Sequence, residues 1–437
     1  MSDPLFILSI LGAFLVLMAV GFHIHAILLG IGVMGLVMIQ DFSIASAFLR
    51  SDPFGQVASY ALTTIPLYVV MAQFILKSGV VQDAFTMVYK ASKGRPTVLG
   101  AMTVVIGGFL GAVSGSGAAT AASLGSVAVP ELRNYGFKSD LAGAIAAASG
   151  SLSGIIPPSI ILILYGVITE TPISSLFMAA IIPGVMTMLV FVICVIVMYR
   201  KGHEDGYTAP AVSPDVHIGA RRAVTVVAVG IFMFSLIFGG IYLGFVTPTE
   251  AGAIGALGAF LTALVLGKVD WSFVTSSVKD TAVVTGMIIL ILIGAAIFGR
   301  FVSFSLLPRR ILSMIEFLIQ YPSIILIILA LAFFLLFMFI EGTAVILMAL
   351  PVVLPVIQKA GIDVLWFGVF ISVICTLGLI TPPVGLSVYA AAGTSGVPAR
   401  KIFRPATKMA IAVAVFVCGA MIIFPGLATW LPSTVSR

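Results

Sequence analysis

The sequence predicts an all-α polytopic membrane protein made of two inverted repeats, and three observations carry that expectation. Hydrophobic residues fill 61% of the 437 positions and charged residues only 9%, where a soluble domain carries about 25% charged. The mean hydropathy is +1.24, and the apolar residues fall in runs long enough to cross a hydrocarbon layer. One pattern of glycines, hydroxyls and prolines also occurs twice, 225 residues apart.

In the first copy, Ser114-Gly115-Ser116-Gly117-Ala118-Ala119-Thr120 is followed by Pro130, Gly136 and Gly154-Ile155-Ile156-Pro157-Pro158. In the second, Glu341-Gly342-Thr343 is followed by Pro355, Gly361 and Gly378-Leu379-Ile380-Thr381-Pro382-Pro383. Adding 225 carries Gly117 onto Gly342, Pro130 onto Pro355, Gly136 onto Gly361 and one Pro-Pro onto the other without a gap. This coincidence of helix-breaking positions implies a duplicated gene. Both copies lie in apolar segments, where a free backbone N–H or C=O meets no water, so a broken helix persists only by lining a cavity or burying against protein. Matching breaks in two halves point to a binding site near the membrane midplane, between the repeats.

Taken in order, crossings are expected at 5–22, 25–40 and 57–77. The short break at Gly21 to His25 makes the first two a tight antiparallel pair. Asp41 to Phe54 and Val80 to Tyr89 have the mixed character of interfacial segments, and the basic loop Lys90, Lys93, Arg95 ends at Pro96. A re-entrant hairpin over 97–133 turns at Ser114 to Gly117. A discontinuous crossing over 138–170 is unwound at Gly154 to Pro158, and Ile173 to Met198 is an ordinary span. The first repeat is thus 1–200.

A hydrophilic linker over 201–222 carries His203, Glu204, Asp205, Asp215 and His217. The second repeat, 223–437, repeats the order: spans at 223–243, 250–267 and 281–304, an amphipathic piece around Arg309, Arg310 and Glu316, a hairpin over 322–358, a broken crossing over 363–394 and a last span at 408–430. Five crossings per half is an odd number, which inverts the second repeat. An offset of 223 aligns earlier positions, Gly32 with Gly255 and Lys77 with Arg300. All Lys and Arg except Arg50, Arg300, Arg309, Arg310, Lys359 and Arg437 then share one side, 16 of 22. The positive-inside bias makes that side cytoplasmic and leaves both termini outside.

Composition also excludes classes. The net charge of +6 sits in short loops between apolar spans, so nucleic acid is not a partner. Cys194, Cys375 and Cys418 are dispersed in apolar helices and form neither a disulfide framework nor a metal spacing. His23 and His25, two apart, lie on different faces of a helix. The start Met1-Ser2-Asp3-Pro4 has no basic n-region or cleavage site, so no signal peptide is expected.

The run Gly111 to Pro130-Glu131, the segment Ile155-Ile156-Pro157-Pro158-Ser159 through Tyr165-Gly166, Ile182-Pro183-Gly184, Phe245-Val246-Thr247-Pro248-Thr249-Glu250-Ala251 and Gly378 to Gly385 together resemble the large membrane subunit of the tripartite ATP-independent periplasmic (TRAP) transporters. The resemblance spans nearly the whole chain. It implies a sodium-driven secondary transporter of a bacterial inner membrane, with an elevator-type fold, that takes up organic anions such as dicarboxylates, sugar acids including sialic acids, or sulfonates. It implies two protein partners, a small four-helix membrane subunit and a soluble periplasmic binding protein. No small subunit is expected to be fused ahead of the first repeat, and no cofactor beyond the coupling ion is called for.

An unwound tip exposes backbone carbonyls and the hydroxyls of Ser114 and Ser116, hard oxygen ligands suited to sodium. The break at Ser151 to Pro157 adds carbonyls of Ser151, Gly154 and Ile156 to the same ion, since residues before proline are pushed out of helical geometry. Glu341, beside the second tip, is an acid in hydrocarbon, which costs about 2.5–3.5 kcal/mol on insertion scales. It either supports an ion or caps the second arm. Gly342, Thr343, Thr376, Leu379 and Thr381 complete a second sodium site by analogy of position. Ser116, Ser153, Pro158, Ser159, Thr381 and Pro383 are the substrate candidates, from their nearness to the breaks. Glu250 is read as a helix-capping acid, and Lys77 and Arg300 as side chains that snorkel from span ends.

Other readings fit less well. A binding-protein-independent divalent-anion symporter would share the fold. An intramembrane enzyme using Ser116 or Ser153 lacks a histidine in the neighbourhood, and a channel leaves the paired breaks without a purpose.

Overall fold

The computed structural model describes residues 20–202, 219–307 and 316–435, together with positions 9, 12–14, 16–18, 309 and 313. Most of the first expected crossing, the linker residues His203 to His217 and Arg310 lie outside the described residues. Every regular element within them is helical.

The first half supplies α1 (Ile24–Ile39), α2 (Phe42–Val57), α3 (Thr64–Lys77), α4 (Val80–Ala91), α5 (Pro96–Ser114), α6 (Gly117–Asn134), α7 (Ser139–Ser151), α8 (Ile160–Thr169) and α9 (Ile173–Gly202). The second supplies α10 (Ala220–Phe234), α11 (Pro248–Val265), α12 (Trp271–Phe304), α13 (Pro322–Phe339), α14 (Gly342–Lys359), α15 (Val364–Gly378), α16 (Leu386–Ser395), α17 (Ala399–Val413), α18 (Gly419–Ile423) and α19 (Gly426–Val435). Seven helical stretches among the described residues are long and apolar enough to cross a membrane. The pairs α7/α8 and α15/α16 are not among them, because each crossing is split into halves of 10–15 residues.

Local chemistry sets the ends. Pro96 and Pro248 stand in the first turns of α5 and α11, where the missing N–H costs no hydrogen bond. Asp363 caps α15 by accepting from Trp366 N at 2.7 Å. Asp270 caps α12 in the same way, accepting from Phe273 N at 2.6 Å. That cap starts α12 at Trp271, ten residues before the expected 281, so a polar first segment is helical too. The last span likewise begins at Ala399 rather than 408: α17 buries Ile402, Pro405, Ala406 and Met409 while Arg400, Lys401, Arg404 and Lys408 stay exposed, an amphipathic start that average hydropathy conceals.

Two of the duplicated breakers do not break anything. α6 runs through Pro130, and α14 through Pro351 and Pro355. A proline removes one backbone bond, and a packed membrane helix tolerates this when neighbours satisfy the freed carbonyl.

Helix packing is reciprocal between the halves. α1 lies along α12, and α11 along α3. Gly32 permits the first contact, since a Cβ there would stand 2.8 Å from Phe298 N. α6 packs on α16, and α14 on α8. Tyr165 joins the two broken crossings, its hydroxyl donating to Val364 O at 2.6 Å.

Lys77 and Arg300 do not snorkel freely. Lys77 Nζ lies 2.7 Å from Asp280 Oδ2, and Arg300 Nε lies 2.8 Å from Asp52 Oδ2. Each partner acid belongs to the opposite half, Asp280 in the first turns of α12 and Asp52 on α2, and Arg300 also stacks 4.8 Å above the Phe48 ring.

Candidate functional site

The first hairpin turns at a left-handed glycine. Gly115 has φ +62° and ends α5, a backbone state that glycine adopts without a Cβ penalty. Ser116 then caps α6, its Oγ accepting from Ala119 N at 3.3 Å. Ser114 Oγ is buried 2.6 Å from Thr120 Oγ1 and 3.2 Å from Ser116 O. Ser116 itself is exposed at the tip.

The tip reaches both broken crossings. A Cβ on Gly117 would meet Ser153 Oγ at 3.2 Å, from the first break, and Leu379 Cδ1 at 3.2 Å and Ser387 Oγ at 3.1 Å, from the second. The second tip behaves alike: a Cβ on Gly342 would stand 2.7 Å from Cys375 Sγ of its own crossing and 2.7 Å from Ile161 Cδ1 of the other.

The first break leaves α7 through a tight turn, Leu152–Gly154, and stays non-helical until Ile160. Ser159 Oγ spans it, donating to Gly154 O at 2.9 Å, while Ser151 Oγ donates to Ala148 O at 2.8 Å. Residues 151–160, including Ser153, Ile156 and Pro158, are all buried. In the second break Thr376 Oγ1 donates to Val373 O at 2.5 Å and Thr381 Oγ1 to Leu377 O at 2.7 Å. Thr381 is buried, whereas Pro382 and Pro383 are exposed. Both Pro-Pro bonds are cis. The breaks touch: a Cβ on Gly154 would lie 3.3 Å from the Thr376 methyl.

Glu341 caps α14. Its Oε2 accepts from Thr343 N at 2.9 Å and from the Thr343 hydroxyl. Glu341 is exposed and Gly342 and Thr343 are buried, so the capping role is met with one carboxylate oxygen left outside these bonds. Glu250 forms a capping box with Thr247 and opens α11, in line with the structural reading of that residue.

The hydroxyls of Ser151, Ser159, Thr376 and Thr381 all donate to backbone carbonyls, which turns their lone pairs outward as acceptors or cation ligands. No Lys or Arg occurs in either tip or break. The helices α6, α8, α14 and α16 all begin here, and helix N-termini carry partial positive charge. Ser387, unmarked in the sequence, belongs to this cluster. Its hydroxyl is fully buried without a hydrogen-bond partner, and it is set by the bond from Ser387 N to Leu379 O, 3.1 Å. Only its place one turn after the break could have pointed to it.

Converging interrupted helices inside a bundle with seven membrane-length helices among the described residues define the class, a multi-pass helical membrane protein. The fold is similar to the crystal structure of the Alcanivorax borkumensis YdaH transporter, with a TM-score of 0.67 at 13% identity over 89% of this chain and 90% of that one. The particular family follows from sequence: the model of the tripartite ATP-independent periplasmic transporter, DctM component, matches residues 11–427, and the chain belongs to that family.

Relatives include the C4-dicarboxylate TRAP transporter large permease protein DctM of Pseudomonas aeruginosa, 28% identical over 82% of this chain and 83% of that one. The sialic acid TRAP transporter large permease protein SiaM of Vibrio cholerae is 27% identical over 88% and 89%. The ectoine/5-hydroxyectoine protein UehC of Ruegeria pomeroyi is 31% identical over 74% of each chain. These are named as transport proteins, not enzymes, and the chain is a multi-pass inner-membrane permease subunit.

Proposed function

We propose that the chain drives sodium-coupled uptake of a small organic anion by an elevator movement, receiving it from a periplasmic binding protein and working beside a small four-helix membrane subunit. The observation that carries this reading is the reciprocal approach of two tip glycines 225 positions apart, each to both broken crossings: Gly117 to Ser153 and Ser387, and Gly342 to Cys375 and Ile161. Two inverted copies that exchange hairpin tips across each other's breaks would form one enclosed site from both halves.

In this reading Ser114, Ser116, Ser151, Gly154 and Ile156 hold one sodium ion, and Glu341, Gly342, Thr343, Thr376, Leu379 and Thr381 hold a second. Two bound cations and four helix N-termini supply the positive field that an anion needs, without a buried arginine. Ser116, Ser153, Pro158, Ser159, Thr381, Pro383 and Ser387 line the substrate's side. The hairpins and broken crossings move as one body against α1, α3, α11 and α12, with both termini periplasmic. Each sodium entering down a potential of about 100 mV, inside negative, contributes about 2.3 kcal/mol, so two drive accumulation even of a charged solute. Relatives named as a C4-dicarboxylate permease and a sialic acid permease support trying carboxylates first as substrates.

The test is uptake of a labelled carboxylate panel into proteoliposomes holding the chain and its membrane partner, with and without the binding protein. The reading expects uptake that needs an inward sodium gradient and the binding protein together. Sodium-driven uptake without the binding protein would replace it with a direct symporter.

A further inference from the structure

A cavity of about 160 Å³ lies well away from the two breaks, lined by Lys138, Asp140, Leu141, Tyr199, Arg404 and Lys408. It forms because α17 lies close on α7: a Cβ on Gly143 would stand 2.6 Å from Ile402 Cδ1. That approach holds Arg404 and Lys408, one turn apart, across the cavity from Lys138 at the start of α7.

Two cations, Arg404 and Lys408, face one acid, Asp140. Asp140 Oδ1 accepts from Leu141 N at 2.8 Å. Arg404 and Lys408 are exposed, and among the described residues neither has a carboxylate within ion-pair distance. The hole therefore carries excess positive charge, on the cytoplasmic side in the proposed topology. Arginine's planar fork suits phosphate oxygens in particular.

What continues from the cations selects the source of that phosphate. Ile411 and Val415 follow Lys408 at helical spacings of three and seven, on the same face, and are 57% and 62% exposed. A free anion makes no use of an apolar stripe, whereas an acyl chain below a bound headgroup lies along it. Basic pockets between membrane helices on the cytoplasmic side bind anionic headgroups on this principle.

We propose that Arg404 and Lys408 form a site for the phosphodiester headgroup of an anionic phospholipid, with an acyl chain along Ile411 and Val415. The site is independent of the transport reading, and its test uses no transport.

The purified full chain is titrated with phosphatidylglycerol, phosphatidylcholine or inorganic phosphate while its melting temperature is followed. Phosphatidylglycerol raises it by about 3–5 °C, and phosphatidylcholine and phosphate do not. The pair Arg404→Gln/Lys408→Gln abolishes the shift, whereas Lys90→Gln/Lys93→Gln, equal in charge but in the loop before α5, retains it. If the first pair melts early even without lipid, Arg404→Lys/Lys408→Arg keeps the charges and is expected to keep the shift. Equal shifts with both lipids, equal loss in the Lys90/Lys93 control, or a matching response to inorganic phosphate overturns the proposal.

Discussion

Ser387 Oγ stands 3.1 Å from the point that a Cβ on Gly117 would occupy, and it is fully buried with no hydrogen-bond partner. A buried unpaired hydroxyl costs about 1–3 kcal/mol, and this one stands where one half's hairpin tip meets the other half's break, which makes it a candidate ligand group in the proposed function. Ser387→Ala separates the two meanings of that hydroxyl. If it only packs, the variant is as stable as the parent or more so, and transports normally. We predict unchanged or higher melting temperature together with a KM for sodium or for the anion raised about 10-fold, equivalent to about 1.4 kcal/mol, read from initial uptake rates.

Gly125 tests the contact between α6 and α16. A Cβ there would come 2.2 Å from Thr394 Oγ1 and 2.9 Å from the Ala391 carbonyl, and a backbone atom cannot turn aside. Gly125→Ala is predicted to destabilise by about 1–3 kcal/mol through overpacking. Gly30→Ala, with nothing within 4 Å, is expected to be neutral or slightly stabilising. Thermal denaturation of both variants in one detergent checks the difference.

Glu341→Gln keeps the side-chain shape and one acceptor for Thr343 but removes the negative charge. If the carboxylate serves only as a cap, stability falls by about 1 kcal/mol and the sodium dependence of uptake stays put. The proposed ion site predicts instead that the sodium concentration for half-maximal uptake rises about 10-fold or more, measured at saturating anion.

The two ion pairs between halves are unequal in burial, and their removal should be unequal too. Lys77 and Asp280 are 26% and 50% exposed, while Arg300 is 50% and its partner Asp52 only 10% exposed. Lys77→Ala breaks a pair in the class worth about 0–1 kcal/mol. Arg300→Ala takes the cation from a mostly buried carboxylate, leaving it the Ser51 hydroxyl at 3.2 Å, and also removes the stack on Phe48, so its cost is predicted at about 1–3 kcal/mol. Equal melting temperatures for the two variants would contradict this ranking.

Much of the site's position was legible in the sequence because glycine and proline mark backbone directly. Ser114 to Gly117 read as a tip and is one, ended by a left-handed Gly115, and Gly154 to Pro158 and Leu379 to Pro383 read as breaks and are non-helical. Pro130 and Pro355 recur in both copies yet lie inside hairpin arms that run through them, as the expected bounds 97–133 and 322–358 have it, where packed helices absorb a missing hydrogen bond. What stayed hidden were relationships across the chain. Lys77 meets an acid 203 positions away and Arg300 one 248 positions away, and no local pattern announces either. Ser387 was invisible for another reason: a serine in an apolar half-helix looks like any small residue until its hydroxyl proves to be unpaired.

The most direct measurement is uptake by the purified chain with the proposed membrane partner and binding protein, at fixed membrane potential, with sodium or potassium outside. Accumulation of the anion only with sodium, collapsing on Thr376→Val and Ser114→Ala while both variants remain folded, is the result predicted here. Accumulation that is indifferent to replacing sodium by potassium, or that survives both substitutions, would contradict it.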